Sequence, residues 1–231
     1  MLPYLTPLTP FPSLIHALQS PNGLLAAGAD LSPARLVTAY RAGIFPWFNA
    51  GEPILWWSPD PRMVLIPSQF QVSHSLQKVL RQHEFEVRFD TQFAQVMRAC
   101  AAPRKGLAGT WIHEDMVAAY RELHQQCYAH SVEVWQGDNL IGGLYGMAIG
   151  RMFYGESMFS AQPNGSKIAL AYLCKQLARW QFTLIDCQMY TAHLASLGAH
   201  EIQRDEFIRQ LAELVNCAPV SNWQFDADLL P

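Results

Sequence analysis

With 231 residues, 50% of them hydrophobic and 15% charged, the chain can bury one large core or two modest ones, and a disordered chain is excluded. The net charge of −3 is uneven: between Arg62 and Lys105 seven Arg/Lys stand against three acids, so that window carries +4 and the remainder −7. A mildly acidic protein can still hold a nucleic acid on such a window, because phosphate contacts are local; a solvated helix face is the plainer reading.

Pro3, Pro7, Pro10, Pro12 and Pro21 rule out a long opening helix. Ser13–Gln19 is expected to form a helical turn or two, and Pro21-Asn22-Gly23 a turn. Ser32 can then cap a helix with Pro33 at its first position, Leu36, Val37 and Tyr40 facing inward, and Gly43 ending it. Residues 44–62 concentrate Phe45, Trp47, Phe48, Trp56 and Trp57 among prolines, which reads as an irregular region. These rings are either the core of a small domain or a platform for a base. The segment from Ser58 to Arg62 is rigid and polar, the wall of a site or a turn.

MVLIP then reads as a strand, Ser73–Gln82 as a helix, Phe85–Asp90 as a strand and Thr91–Ala101 as a helix. A basic, Gly-containing loop spans 102–112 before the amphipathic helix His113–Cys127. Ser131–Gln136 turns at Gly137-Asp138-Asn139 into the strand Asn139–Ala148, which the turn Ile149-Gly150 joins to the strand Arg151–Met158. Ile168, Leu170, Leu173 and Leu177 mark a helix from Ser166 to Arg179, and the strand Phe182–Ile185 releases into Asp186-Cys187-Gln188. A last helix runs through Phe207, Ile208, Leu211 and Leu214, followed by an extended tail. The expected division is an aromatic- and proline-rich N-terminal domain over 1–62, a boundary or linker over 63–84, and a catalytic α/β (α+β) domain over 85–231.

The five cysteines are odd in number, widely spaced and lack a CxxC, which points to reduced thiols rather than a disulfide framework or zinc site. No histidine set has metal-ligand spacing, so no metal or cofactor is expected. The start lacks a basic region before an apolar run, and no apolar stretch reaches spanning length, so a soluble cytoplasmic protein is expected. Gly142-Gly143 would loosen a strand ladder unless a bulge or a close ligand uses the space.

Glu156, Asp186 and Gln188 are polar groups in apolar company near strand ends, where a core excludes unpaired polarity. Asp186 and Gln188, two apart, share a face in an extended strand. Alternation places Phe153 with Gly155 and Ser157, and Tyr154 with Glu156. Such groups can order an amine or hydroxyl nucleophile, or simply hold strand ends together.

The segments GLLAAGADLSPARLVTAYRAGIFPWF, PILWWSPDPR, HSVEVW, GGLYGMAIGRMFYGESMFS, SKIAL, LIDCQ and HLASLGA, in this order from about residue 22 to 214, resemble the leucyl/phenylalanyl-tRNA–protein transferase family. The resemblance implies a small N-terminal domain and an acetyltransferase-like (GNAT) domain with a splayed, mainly antiparallel sheet. It implies transfer of Leu or Phe, less readily Met, from aminoacyl-tRNA to proteins beginning with Arg or Lys, marking them for degradation. It assigns Asp186 and Gln188 to orienting and deprotonating the attacking amine, and Glu156 to holding the acceptor N-terminus or aiding the relay. Proton relay and pure positioning remain alternatives. The donor side-chain pocket is expected at Leu144, Phe153, Ile185 and Ala195, with Trp47, Trp111 and Ser157 at the aminoacyl-adenosine or pocket mouth. Phe153 shares that site with Glu156 only if the strand is locally irregular. tRNA is expected on Lys78, Arg81, Arg88, Arg104 and Lys105, and the protein is expected to be a monomer. Ala29 replaces the second glycine of the family pattern, which is harmless provided that position needs no positive φ. The competing readings are an acyl-CoA-dependent N-acyltransferase on the same fold, for which Asn164-Gly165-Ser166 would have to cradle phosphate, and a non-catalytic tRNA-binding module.

Overall fold

The computed structural model describes residues 1–82, 84–102 and 111–229. The aromatic-rich first part is ordered by short strands rather than irregular: β1 (Tyr4–Leu5), β2 (Leu24–Gly28), β3 (Phe45–Pro46) and β4 (Leu55–Trp57) form a sheet in the order β1-β2-β4-β3. Two indoles lock it, Trp56 Nε1 donating to the Gly28 carbonyl at 2.9 Å and Trp57 Nε1 to that of Trp47 at 2.7 Å. Helix α1 (Pro33–Arg41) begins as its sequence requires, Ser32 accepting from the Arg35 amide with Pro33 in the first turn, and it ends before Gly43 at φ +74°. Leu36 and Tyr40 are buried and Val37 is half-buried. Ala29 does occupy the left-handed region, at φ +65°, so its side chain bears a strain a glycine would escape.

The second sheet has seven strands. They are β5 (Arg62–Leu65), β6 (Glu86–Phe89), β7 (Ala129–Gln136), β8 (Asn139–Ile149), β9 (Met152–Ser160), β10 (Leu184–Gln188) and β11 (His200–Ile202). Their order is β11-β5-β10-β9-β8-β7-β6, and each neighbouring pair is antiparallel except β9 and β10. Segment 63–84, read from sequence as a boundary, thus supplies strand β5 between β10 and β11, followed by helix α2 (His74–Gln82). Helices α3 (Phe93–Ala101), α4 (Glu114–Gln125) and α7 (Arg204–Leu214) join α1 on one face of the sheet, around Tyr145, Met147 and Tyr154. On the other face α2 and α5 (Gly165–Arg179) pack on Leu144, Phe153 and Ile185. A short α6 (Ala192–Ala195) follows β10.

Helix α3 begins later than Thr91 because buried Glu133 of β7 takes the Thr91 and Gln92 amides at 3.1 and 3.2 Å. The bulge near Gly142 leaves Ile141 unpaired between Val134 and Trp135, and the space above Gly142 goes to a helix, not a ligand. A Cβ on Gly142 would lie 2.4 Å from the backbone of Gly165, where α5 starts. The tail is packed rather than loose: Trp223 stacks on His130 at 3.7 Å, Phe225 on Phe89 at 4.0 Å, and Arg179 binds Asp226 and Asp228 at 3.0 and 2.6 Å.

One discontinuity organises the sheet. The parallel pairing of β9 with β10 runs from Leu184–Met152 to Asp186–Tyr154, while β9 continues to Ser160. At the same level each strand carries an extra residue: Glu156 is unpaired between Tyr145 and Gly146 of β8, and Cys187 is unpaired between Val64 and Met63 of β5. Bulges raise local twist and bend a strand, so the two carboxyl-terminal halves diverge and leave a cleft.

Candidate active site

A cavity of about 1140 Å³ occupies this cleft. On the α5 side Leu144, Phe153 and Ile185 line it together, with Leu170 and Leu173 of the helix. Gly146 makes room for the Phe153 ring, since a Cβ there would lie 2.6 Å from it. Ala195 does not line the cavity; its neighbour Leu194 does, because the α6 turn presents Thr191, His193 and Leu194 to the opening instead. Trp47, Trp111 and Ser157 all line it, Trp47 being 37% exposed and edge-on to Trp57 at 5.5 Å. The irregularity that Phe153 and Glu156 require is present: the bulge falls on Glu156, and both residues reach one cavity.

Glu156 is held by two buried tyrosines. Tyr40 Oη donates to Glu156 Oε1 at 2.5 Å, Tyr120 Oη lies 3.1 Å from Oε2, and the two phenolic oxygens touch each other. Burial pushes its carboxyl up to about 7, against the two tyrosine hydrogen bonds that favour the anion. The same burial, with the carboxylate beside them, keeps both phenols protonated.

Asp186 and Gln188 do not share a face. Asp186 is fully buried and absent from the cavity wall, whereas Gln188 lines it, because the extra Cys187 reverses the alternation. Arg62 grips Asp186 in a fork, Nε to Oδ1 at 2.8 Å and Nη2 to Oδ2 at 2.7 Å, and both side chains are wholly buried. Asp186 Oδ1 also accepts the Gln188 amide at 2.9 Å, which fixes Gln188 in the left-handed region at φ +58°. With its side-chain nitrogen turned toward acceptors, Gln188 donates to the Gly155 carbonyl at 2.9 Å and bridges the two parted strands. Asp186 thus takes three hydrogen bonds inside the sheet, one of them from the backbone N–H of Gln188 just past the bulge.

Two family models divide the chain. One, described as leucyl/phenylalanyl-tRNA protein transferase, matches residues 64–212, and the model of that enzyme's N-terminal domain matches 29–60. The chain belongs to this family. Relatives named leucyl/phenylalanyl-tRNA–protein transferase are 60% identical in Nitrosospira multiformis, over 98% of both chains, and 60% identical in Nitrosomonas europaea, over 94% of this chain and 93% of the other. That of Cellvibrio japonicus is also 60% identical, over 91% and 90%. The fold likeness to L-PGS from Bacillus licheniformis is remote, with a TM-score of 0.39 and 10% identity over 73% of this chain and 56% of that one, and bears no weight.

A transferase of this family needs a surface for tRNA, and the structure divides the basic window unequally. Lys78 and Arg81 are exposed on α2 and line a small cleft with His74 and Gln77. Arg88 is clasped by Glu86 at 2.7 and 2.5 Å and lies over Trp135, a pair that stays partly exposed. Arg62 is spent on Asp186, and Arg104 and Lys105 lie outside the described residues. Lys167 of α5 adds a cation near His193 at the cleft rim, where it joins burial in pushing that imidazole down.

Sequence reasoning missed Tyr40 and Tyr120 as the partners of Glu156, and Arg62 as the partner of Asp186. A signal existed for each. A tyrosine on the inward face of a helix needs a partner for its hydroxyl, and an arginine opening the apolar run Arg62–Leu65 needs a carboxylate.

Proposed function

We propose that this protein transfers Leu or Phe, less readily Met, from aminoacyl-tRNA to the α-amine of proteins that begin with Arg or Lys, in the cytoplasm and as a monomer. The new N-terminal residue marks the acceptor for degradation. The observation that carries this reading is the joint placement of an apolar cavity and the enclosed Glu156 carboxyl in one cleft, within a chain of this family. Among the described residues no helix is long and apolar enough to cross a membrane.

The reaction is aminolysis of an activated ester. The amine nitrogen attacks the ester carbonyl carbon, a C–N bond forms, the C–O bond to the terminal ribose breaks, and the ribose oxygen leaves with a proton while the amine loses one. Much of the barrier is removed by holding the reactants together, on the order of several kcal/mol. Leu144, Phe153 and Ile185 receive the donor side chain, and Trp47 and Trp111 the terminal adenosine. Excluding Ile or Val takes a close wall at Cβ, since apolar bulk alone discriminates by about 1–3 kcal/mol. Glu156, near 7 in pKa, takes up the amine proton or balances the cationic acceptor. Asp186 positions Gln188, which orders the amine. Lys78 and Arg81, with Arg104 and Lys105, contact tRNA phosphates without reading bases.

The test is to incubate pure protein with radiolabelled Phe-tRNA and a peptide beginning with Arg, without ATP. Label is expected in the peptide and not in a control beginning with Asp. Transfer from acyl-CoA but not from tRNA would establish the rival acyltransferase; tRNA binding without turnover would establish a binding module.

A further inference from the structure

Four tyrosines are fully buried on the α3–α4 face around the cleft: Tyr40, Tyr120, Tyr145 and Tyr154. Three have their hydroxyls satisfied, Tyr40 and Tyr120 on Glu156 and on each other, and Tyr154 by donating to the Tyr40 carbonyl at 3.0 Å. The Tyr145 hydroxyl is buried and has no hydrogen-bond partner among the described residues. Leaving a buried hydroxyl unpaired is costly and uncommon, and where it persists it commonly has a functional reason. Tyr145 also lines the cavity. It pairs with Ser157 beside the bulge that leaves Glu156 unpaired, and its ring stands edge-on to Tyr120 at 5.7 Å and Phe93 at 6.0 Å, which fixes its direction.

We propose that the Tyr145 hydroxyl is a substrate-binding group that donates to a carbonyl oxygen brought into the cleft, either that of the reacting ester or that of the acceptor's first residue. The inference rests on the reading of this cleft as the site of aminoacyl transfer. Burial and the nearby Glu156 and Tyr120 keep the phenol protonated, so it meets substrate as a neutral donor. The amine or basic side chain of the acceptor is matched by Glu156, whereas a donor such as Tyr145 needs an acceptor atom. Both carbonyls travel with the reacting atoms, and either would supply the partner that the free protein lacks.

Tyr145→Phe removes only the oxygen. Since that oxygen bonds nothing in the free protein, the melting temperature should stay the same or rise, while transfer from Phe-tRNA falls on the order of tenfold. A rise in acceptor KM at unchanged maximal single-turnover rate identifies the acceptor carbonyl; a lower maximal rate at unchanged KM identifies the ester carbonyl. Transfer within about twofold of wild type at low and at saturating acceptor overturns the proposal. So does a melting temperature lowered by more than about 4 °C, which would show the hydroxyl to be structural. If wild type itself transfers nothing from tRNA, the reading of the cleft fails instead.

Discussion

Replacing Asp186 by Ala is expected to damage the fold before it damages the chemistry. Arg62 and Asp186 are each 0% exposed and meet in two charge-assisted hydrogen bonds, while Phe45 and Phe207 cover the guanidinium at 4.9 and 4.5 Å. Removing the carboxylate strands a buried cation, which costs about 3–5 kcal/mol. In a chain of this size each kcal/mol lowers the melting temperature by about 2–4 °C, so Asp186→Ala should melt roughly 6–20 °C below wild type. Arg62→Met should do comparable harm by stranding the anion. The double variant Arg62→Met/Asp186→Leu replaces the pair by apolar groups, and its melting temperature should exceed that of either single variant. It should still transfer poorly, because Gln188 loses the bond from its amide to Asp186 Oδ1. Thermal unfolding followed by circular dichroism, with transfer assayed on the same preparations below every midpoint, separates the two effects. The reasoning is refuted if Asp186→Ala melts within about 2 °C of wild type, or if the double variant regains transfer together with stability.

Phe153→Ala should depress Leu transfer while shrinking the penalty against Ile and Trp, read from transfer efficiencies of the four esters Leu, Ile, Phe and Trp on one tRNA body; unchanged ratios would remove Phe153 from the donor pocket. Neutralising Lys78, Arg81, Arg104 and Lys105 should weaken tRNA binding and flatten its log–log salt slope by up to about 0.9 for each phosphate no longer neutralised, while a minimal aminoacyl-adenosine donor stays active. A salt titration superimposable on wild type would reduce the patch to solvated surface. Ala29→Gly should raise the melting temperature by no more than about 2 °C, since relief of about 1 kcal/mol of left-handed strain is offset in large part by the entropy a glycine adds to the unfolded chain.

Helices were legible where apolar spacing and caps agree, as in α1 with Ser32, Pro33 and Gly43. The sheet's long central strands were legible from alternation, to within one or two residues at their ends. The small first sheet was not, because strands of two or three residues have no period to read and are defined by indole-to-carbonyl bonds between distant segments. Strand β11 escaped for the same reason. In the site, Glu156, Phe153 and Gln188 could be named, yet the face each side chain occupies could not. Bulges at Glu156 and Cys187 overturn alternation, and they depend on pairing with β8 and β5 rather than on the local sequence. Arg62 lies 124 residues from Asp186, a separation at which charge pairing leaves no local trace.

The most direct test of the proposed chemistry is the pH dependence of single-turnover transfer in wild type and in Glu156→Gln. Deprotonation of the acceptor amine affects both proteins alike and cancels in the ratio of their rates. If Glu156 takes the amine proton, only its ionised form serves, so the ratio of wild type to variant should climb as pH rises from about 5, pass its half-height near 7 and level off about a unit higher. Stability should move the opposite way. The folded carboxyl holds its proton above the unfolded value of 4.5, so its stabilising contribution is present below that pH and is lost as pH rises through about 7. A rate ratio that is flat from pH 5 to 9, at acceptor concentrations both below and above KM, would contradict the proton-accepting role of Glu156.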